Sequence, residues 1–179
     1  MLVLAGKNKE QNEVLVRDAK PEQVLCHTKE AGSPFCLIEK PLNKLTKAEM
    51  QAIAKFCALF SKAFKQGKKL IEVHFFEKKQ VFKLKSDPVG TFHLKGKVKS
   101  IKVKPVLQFG IKNGFLVLSE KPDLSIARIE PGKLDKEKAI AKLETLLEKK
   151  LSKFKLKMQF SKEDIAKTIP ARNLSIKSV

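Results

Sequence analysis

The residues with the richest chemistry stand in two short stretches near the start of the chain. In Val24-Leu25-Cys26-His27-Thr28-Lys29-Glu30-Ala31-Gly32-Ser33-Pro34, an imidazole precedes an ammonium and a small turn with a hydroxyl. His27, Lys29 and Ser33 together suit a phosphate. Acid–base catalysis by His27 needs a carboxylate, a second His or a nucleophile beside it, and no local motif supplies one. Binding is therefore the expected role, with an enzyme centred on His27 as the alternative. In Gly6-Lys7-Asn8-Lys9-Glu10-Gln11-Asn12-Glu13, residues Lys7, Asn8 and Asn12 could hold bases or phosphate through side-chain amides and the N–H groups of a helix start. The same pattern suits a structural role, with Asn8 as a helix cap and Gly6 as a turn.

Cys26, Cys36 and Cys57 have no CxxC spacing. A metal site from Cys26, His27 and Cys36 would lack a fourth ligand, so neither a metal nor a cofactor is expected. The three Cys read as small hydrophobes in a reducing, cytoplasmic compartment.

The chain has 179 residues with 38 Lys+Arg against 19 Asp+Glu, a formal net charge of +19. All the basic residues but Arg17, Arg128 and Arg172 are Lys, which meets phosphate as a hydrated point charge without the planar fork of Arg. Such an excess implies a polyanionic partner held through its backbone. That partner is nucleic acid or an anionic membrane surface; no apolar run reaches the roughly 18–20 residues of a membrane span, and nucleic acid, with no membrane, is the expected partner. Between Lys62 and Lys104 stand 13 Lys against Glu72, Glu77 and Asp87 alone. Lys62, Lys78, Lys79, Lys83, Lys85, Lys102 and Lys104 are the binding candidates there. Lys83 and Lys85 are expected on one strand face, and Lys102 and Lys104 on another. Phe76, Phe82 and Phe92 are candidates for stacking on unpaired bases, and His74 and His93 are expected at exposed strand positions.

The elements that must position these groups follow from periodicity. Leu2–Ala5 is a short strand, and Asn8 with Gln11 caps a helix running toward Ala19. Val24–Thr28 and Phe35–Ile38 form a hairpin. Thr46-Lys47-Ala48-Glu49 is a capping box opening one long core helix that ends at Gly67. From Leu70 to Lys104 the period changes to two, which predicts an antiparallel meander including strands at Val81–Lys85 and Thr91–Lys95. After Pro105 come a hairpin over Val106–Ile111 and Phe115–Ser119 with an Asn113-Gly114 turn, a strand at Ile126–Ile129, and a helix capped near Asp135. That helix carries Ile140, Leu143, Leu147, Leu151 and Phe154 on one face. A shorter helix follows Ser161, and a polar tail begins at Ala171. The fold class is α+β, divided as residues 1–105 and 106–179.

Gly6-Lys7-Asn8 with Gln11-Asn12, His27-Thr28-Lys29-Glu30-Ala31-Gly32-Ser33, Ser61-Lys62-Ala63, Val73-His74-Phe75, Lys79-Gln80-Val81, Pro88-Val89-Gly90 and Lys99-Ser100-Ile101-Lys102-Val103 follow in an order and spacing that resembles the NFACT RNA-binding domain (NFACT-R), over roughly residues 1–105. The resemblance implies an α+β domain of the kind found at the end of ribosome quality-control factors that hold tRNA on the large ribosomal subunit, here expected in its free-standing form. The chain departs from the family pattern at Lys7, at Val24–Cys26 and at Pro34. The expectation is a non-enzymatic cytoplasmic protein that contacts the backbone of structured RNA, tRNA or rRNA, in translation or ribosome quality control. The alternatives are an RNA-modifying or RNA-cleaving enzyme centred on His27 and a nonspecific DNA-binding protein, since phosphate contacts do not distinguish the sugars; residues 106–179 could carry a protein contact.

Overall fold

The computed structural model describes residues 2–170 and 173–179, and it divides into two compact units. The first combines the chain up to Ala63 with Leu70–Lys104, and the second combines Phe64–Lys69 with Pro105–Val179. Helices and antiparallel sheets occur in both, an α+β fold. No described helix is long and apolar enough to cross a membrane.

In the first unit, five strands form an antiparallel sheet: β1 (Val3–Ala5), β2 (Val24–Thr28), β3 (Cys36–Ile38), β4 (Ile71–Glu77) and β7 (Lys99–Val103), in the order β1-β3-β2-β4-β7. Helix α1 (Lys9–Asp18) begins at Asn8, whose Oδ1 accepts the Gln11 N–H at 2.8 Å, while Gln11 Oε1 accepts the Lys7 N–H at 2.9 Å. Helix α2 (Lys47–Leu59) begins with the capping box that the sequence predicts, Thr46 and Glu49 each accepting the other's N–H. Alternation along the strands decides what each helix covers. Met50, Ile53, Ala54, Cys57, Ala58 and Leu59 of α2 are buried, and α2 packs on β2, β4 and β7 where Cys26, Val73 and Phe75 point toward it. The opposite face is closed by Val16 of α1 with Leu25, Phe35, Phe76 and Val81, and by Leu15, Leu37, Phe92 and Val98 at their margin.

Two expectations fail in this unit. The single helix to Gly67 is broken: α2 stops at Leu59, and a separate turn of helix, α3 (Lys62–Lys65), follows. The Ser61 hydroxyl donates to Ala58 O at 2.6 Å, occupying a carbonyl the helix would use, and Lys62 N–H turns away to Gly32 O at 2.6 Å. The meander also shrinks. Val81–Lys85 and Thr91–Lys95 reduce to β5 (Val81–Phe82) and β6 (His93–Leu94), a two-stranded ribbon outside the main sheet. The intervening loop is tied locally instead, with Asp87 accepting the Leu84 N–H at 2.6 Å and lying 3.1 Å from His93 Nε2.

The second unit is a sheet of order β11-β10-β8-β9, from β8 (Leu107–Lys112), β9 (Phe115–Ser119), β10 (Leu124–Leu134) and β11 (Leu174–Ser178). Asn113 and Gly114 have φ of 50° and 82°, as a type I′ turn requires. Asp135 caps α4 (Lys136–Lys153), which buries Ala139, Leu143, Leu147 and Leu151. Ile140 is only half-buried, and Phe154 lies beyond the helix and exposed. Helix α5 (Lys162–Thr168) starts at Ser161. The expected polar tail is largely a strand. Ala171 and Arg172 lie outside the described residues, but β11 pairs along β10 and buries Leu174 and Ile176. Burying two such side chains contributes about 1.5–3 kcal/mol each. Deleting residues 174–179 should therefore lower the melting temperature markedly in a calorimetric scan. An unchanged transition would contradict a packed β11.

Candidate nucleic-acid interface

The register of β2, β4 and β7 creates one polar area in the first unit. His27 pairs with His74 and His74 with Ser100; one step toward the end of the sheet, Glu72 pairs with Lys102, and the Lys29 N–H donates to Glu72 O at 2.9 Å. Period two puts these side chains on the face opposite α2, just beyond the apolar row Leu25, Phe76 and Val98. The face therefore grades from buried Phe76 through half-buried His27 and His74 to exposed Ser100, Lys102 and Lys104.

Glu72 organises the area. Its carboxylate accepts from Ser100 Oγ at 2.6 Å and from Lys29 Nζ at 3.4 Å, and lies 3.4 Å from His74 Nε2. The Ser100 hydrogen bond first, with Lys29 and His74 adding to it, holds the Glu72 carboxyl at about 2, below its ordinary 4.5. His27 stacks on Phe35 with ring centroids 4.4 Å apart, and its Nδ1 donates to Thr28 O at 2.7 Å, which leaves Nε2 as an acceptor. Burial lowers the His27 pKa, favouring the neutral ring.

The turn after β2 is held by Ser33, whose buried hydroxyl accepts the Thr28 N–H at 3.0 Å. Gly32 has φ of 101°, and a Cβ there would meet Lys62 Cβ at 2.8 Å, so this close approach brings Lys62 to the turn. His27, Lys29, Ser33, Lys62, Lys102 and Lys104 are thus gathered at one end of the sheet. Lys62, Lys102 and Lys104 have no ion-pair partner among the described residues.

The remaining candidates are placed elsewhere. Asn8 caps α1, and Asn12 Oδ1 accepts the Phe35 N–H at 3.0 Å, so both amides serve the fold; Lys7 stays exposed at the helix start. Lys78 and Lys79 follow the far end of β4, with Lys79 paired to Glu77. Lys83 and Lys85 lie beyond β5 and share no strand face, contrary to expectation. Lys83 Nζ is 2.6 Å from Glu13, 3.2 Å from Pro88 O and 5.2 Å from the Phe92 ring centroid, which makes it an internal tether. Of the stacking candidates, Phe76 is fully buried, Phe92 packs edge-on against Phe35, and Phe82 is partly exposed beside His93. His74 and His93 are half-buried and lie against Glu72 and Asp87, where exposed positions are expected. Sequence reasoning assigns no role to Glu72, His74 or Ser100, because only the cross-strand register brings them beside His27 and Lys29.

With this geometry in view, the family is decided by a model of the NFACT protein RNA binding domain that matches residues 1–97. The chain belongs to the NFACT RNA-binding domain family. It is similar to the archaeal Rqc2 homolog aRqcH of Methanocaldococcus jannaschii, 26% identical over 83 residues, which are 46% of this chain and 12% of that relative's length. It also resembles the solved C-terminal part of the fibronectin/fibrinogen-binding protein from Streptococcus suis. There the identity is 28% and the TM-score 0.52, over 57% of this chain and 40% of that one. The family model ends at residue 97, so β8 to β11, α4 and α5 of the second unit lie outside it.

The low pKa of Glu72 carries a sign. A carboxyl with a folded value below its unfolded one contributes stability above the ordinary 4.5, and that contribution is lost as pH falls toward about 2. The difference in melting temperature between the wild type and Glu72→Gln should shrink over this interval. A difference that stays constant with pH would contradict Glu72 as the anchored hub.

Proposed function

We propose that the first unit binds structured RNA through its phosphate backbone, with Lys29, Lys102, Lys104 and Lys62 around the His27 turn as the contact face. The single observation that supports this reading is the β2–β4–β7 register, which brings Lys102 and Lys29 to Glu72 beside half-buried histidines at one end of a sheet, in a unit whose residues 1–97 match the RNA-binding family. Lysines favour backbone contact over base readout. tRNA or ribosomal RNA on the large subunit is the target we infer, in ribosome quality control in the cytoplasm, from family membership and the likeness to an Rqc2 homolog. DNA differs only in its sugar and shape, so competition with duplex DNA belongs in the same assay.

A second reading is favoured by the pairing of His27 with His74 and of His74 with Glu72: RNA cleavage by acid–base chemistry, with the neutral His27 Nε2 as proton acceptor. Recovery of intact RNA after prolonged incubation supports binding alone. Fragments that disappear with His74→Ala support cleavage.

Affinity for tRNA should fall linearly on a log–log salt plot. Each Lys→Gln change among Lys29, Lys102 and Lys104 should weaken binding and reduce the slope by about one, whereas Lys83→Gln should act on melting temperature through its lost tether. Measurement by fluorescence anisotropy decides it. A triple variant with wild-type affinity and slope would place the RNA elsewhere.

A further inference from the structure

On the α2 side of the same sheet, three cysteines from three elements converge. Cys26 of β2 and Cys36 of β3 are direct cross-strand partners, and Cys57 reaches them from α2. Their sulfurs all lie within 4.8 Å of one another, and all three residues are fully buried. We propose that this cluster is a three-coordinate site for a thiophilic monovalent cation, copper(I), held by Cys26, Cys36 and Cys57.

The choice of ion follows from the donors. Soft thiolates select copper(I), zinc or iron–sulfur clusters. Structural zinc requires a fourth ligand in a tetrahedron, and among the described residues no further Cys, His, Asp or Glu joins the cluster. Two oxygens lie 3.6 Å from Cys57 Sγ: Ser33 Oγ, which already accepts the Thr28 N–H and donates to Pro34 O, and Pro34 O itself, a backbone carbonyl outside the usual zinc donor set. His27 points to the other face of the sheet, with Nδ1 committed to Thr28 O and its ring stacked on Phe35. An iron–sulfur cluster needs four cysteines as a rule. Three sulfurs in a dry apolar enclosure suit a d10 ion that accepts trigonal coordination. At a metal–sulfur distance of about 2.3 Å, trigonal sulfurs lie about 4 Å apart, so a contraction of less than 1 Å from the observed spacing would close the site.

Loading is a ligand exchange without electron transfer: each thiolate formed releases one proton as copper(I) binds, so affinity rises with pH. The turn after β2 covers the cluster. Ser33 and Pro34 touch Cys57 from that turn, and Lys29–Gly32 at its tip are exposed.

The test uses the full chain, reduced and held under argon, titrated with copper(I) against a chromogenic copper(I) chelator, with zinc(II) in a parallel titration. One copper(I) per chain is expected, with no comparable zinc(II) uptake. X-ray absorption at the copper edge should show three sulfur neighbours and no nitrogen or oxygen, a readout that needs no variant. Cys57→Ala and Cys36→Ala should each weaken retention by more than the 10–100-fold typical of losing an outer-shell partner. Absent copper uptake, preferred zinc, nitrogen or oxygen neighbours, undiminished retention in both variants, or a Cys26–Cys36 disulfide formed in place of metal binding would each overturn the proposal.

Discussion

The antiparallel pairing of β2 with β4 is the constraint on which the rest of the first unit depends. Because side chains alternate along a strand, one register decides both faces at once: Cys26 opposite Phe75 sets what α2 meets, and His27 opposite His74 sets what α1 leaves uncovered. A slip of β4 by one residue against β2 would drive His74 into the α2 core and push Val73 and Phe75 to the other side. That exchange would cost several buried apolar side chains at about 1.5–3 kcal/mol each, so the polar face is held in place by the core behind it.

The same coupling explains why much of the family-like sequence supports the site from outside it. Gly6 and Asn12 fasten α1 to the start of β3: Gly6 N–H reaches Phe35 O, Asn12 takes the Phe35 N–H, and a Cβ on Gly6 would collide with Asn12. Phe35 is in turn the platform on which His27 stacks. Glu13 ties the loop around Gly90 to α1, receiving both Lys83 and the Gly90 N–H. These residues hold a surface that others present. Glu72 does the same within the surface, giving up its own freedom to orient Lys29 and Ser100.

Local signals in the sequence were enough for the capping boxes and caps at Asn8, Thr46, Asp135 and Ser161, the Asn113-Gly114 hairpin, and the strands β2, β3 and β4, since each rests on residues within a few positions of one another. What depended on distant partners was hidden. The break after Leu59 is completed by Gly32, β11 exists because β10 offers it an edge, and Lys83 is taken up by Glu13 from a helix 70 positions away. The candidate site divides in the same manner. Lys29, His27 and Lys102 were visible by type and charge, whereas Glu72, His74 and Ser100 became relevant only once strands distant in sequence were aligned. The three cysteines, apolar by every local criterion, meet only in the folded sheet.

The idea that one end of this sheet meets RNA phosphate is tested most directly by a lysine-reactivity footprint: acetylate the full chain with and without excess tRNA and read each site by mass spectrometry. Lys29, Lys62, Lys102 and Lys104 should be protected together, with Lys78 and Lys79 at the far end of β4 and Lys112 of the second unit unchanged. Protection confined to the second unit, or spread evenly over all lysines, would contradict a binding face built on the β2–β4–β7 register.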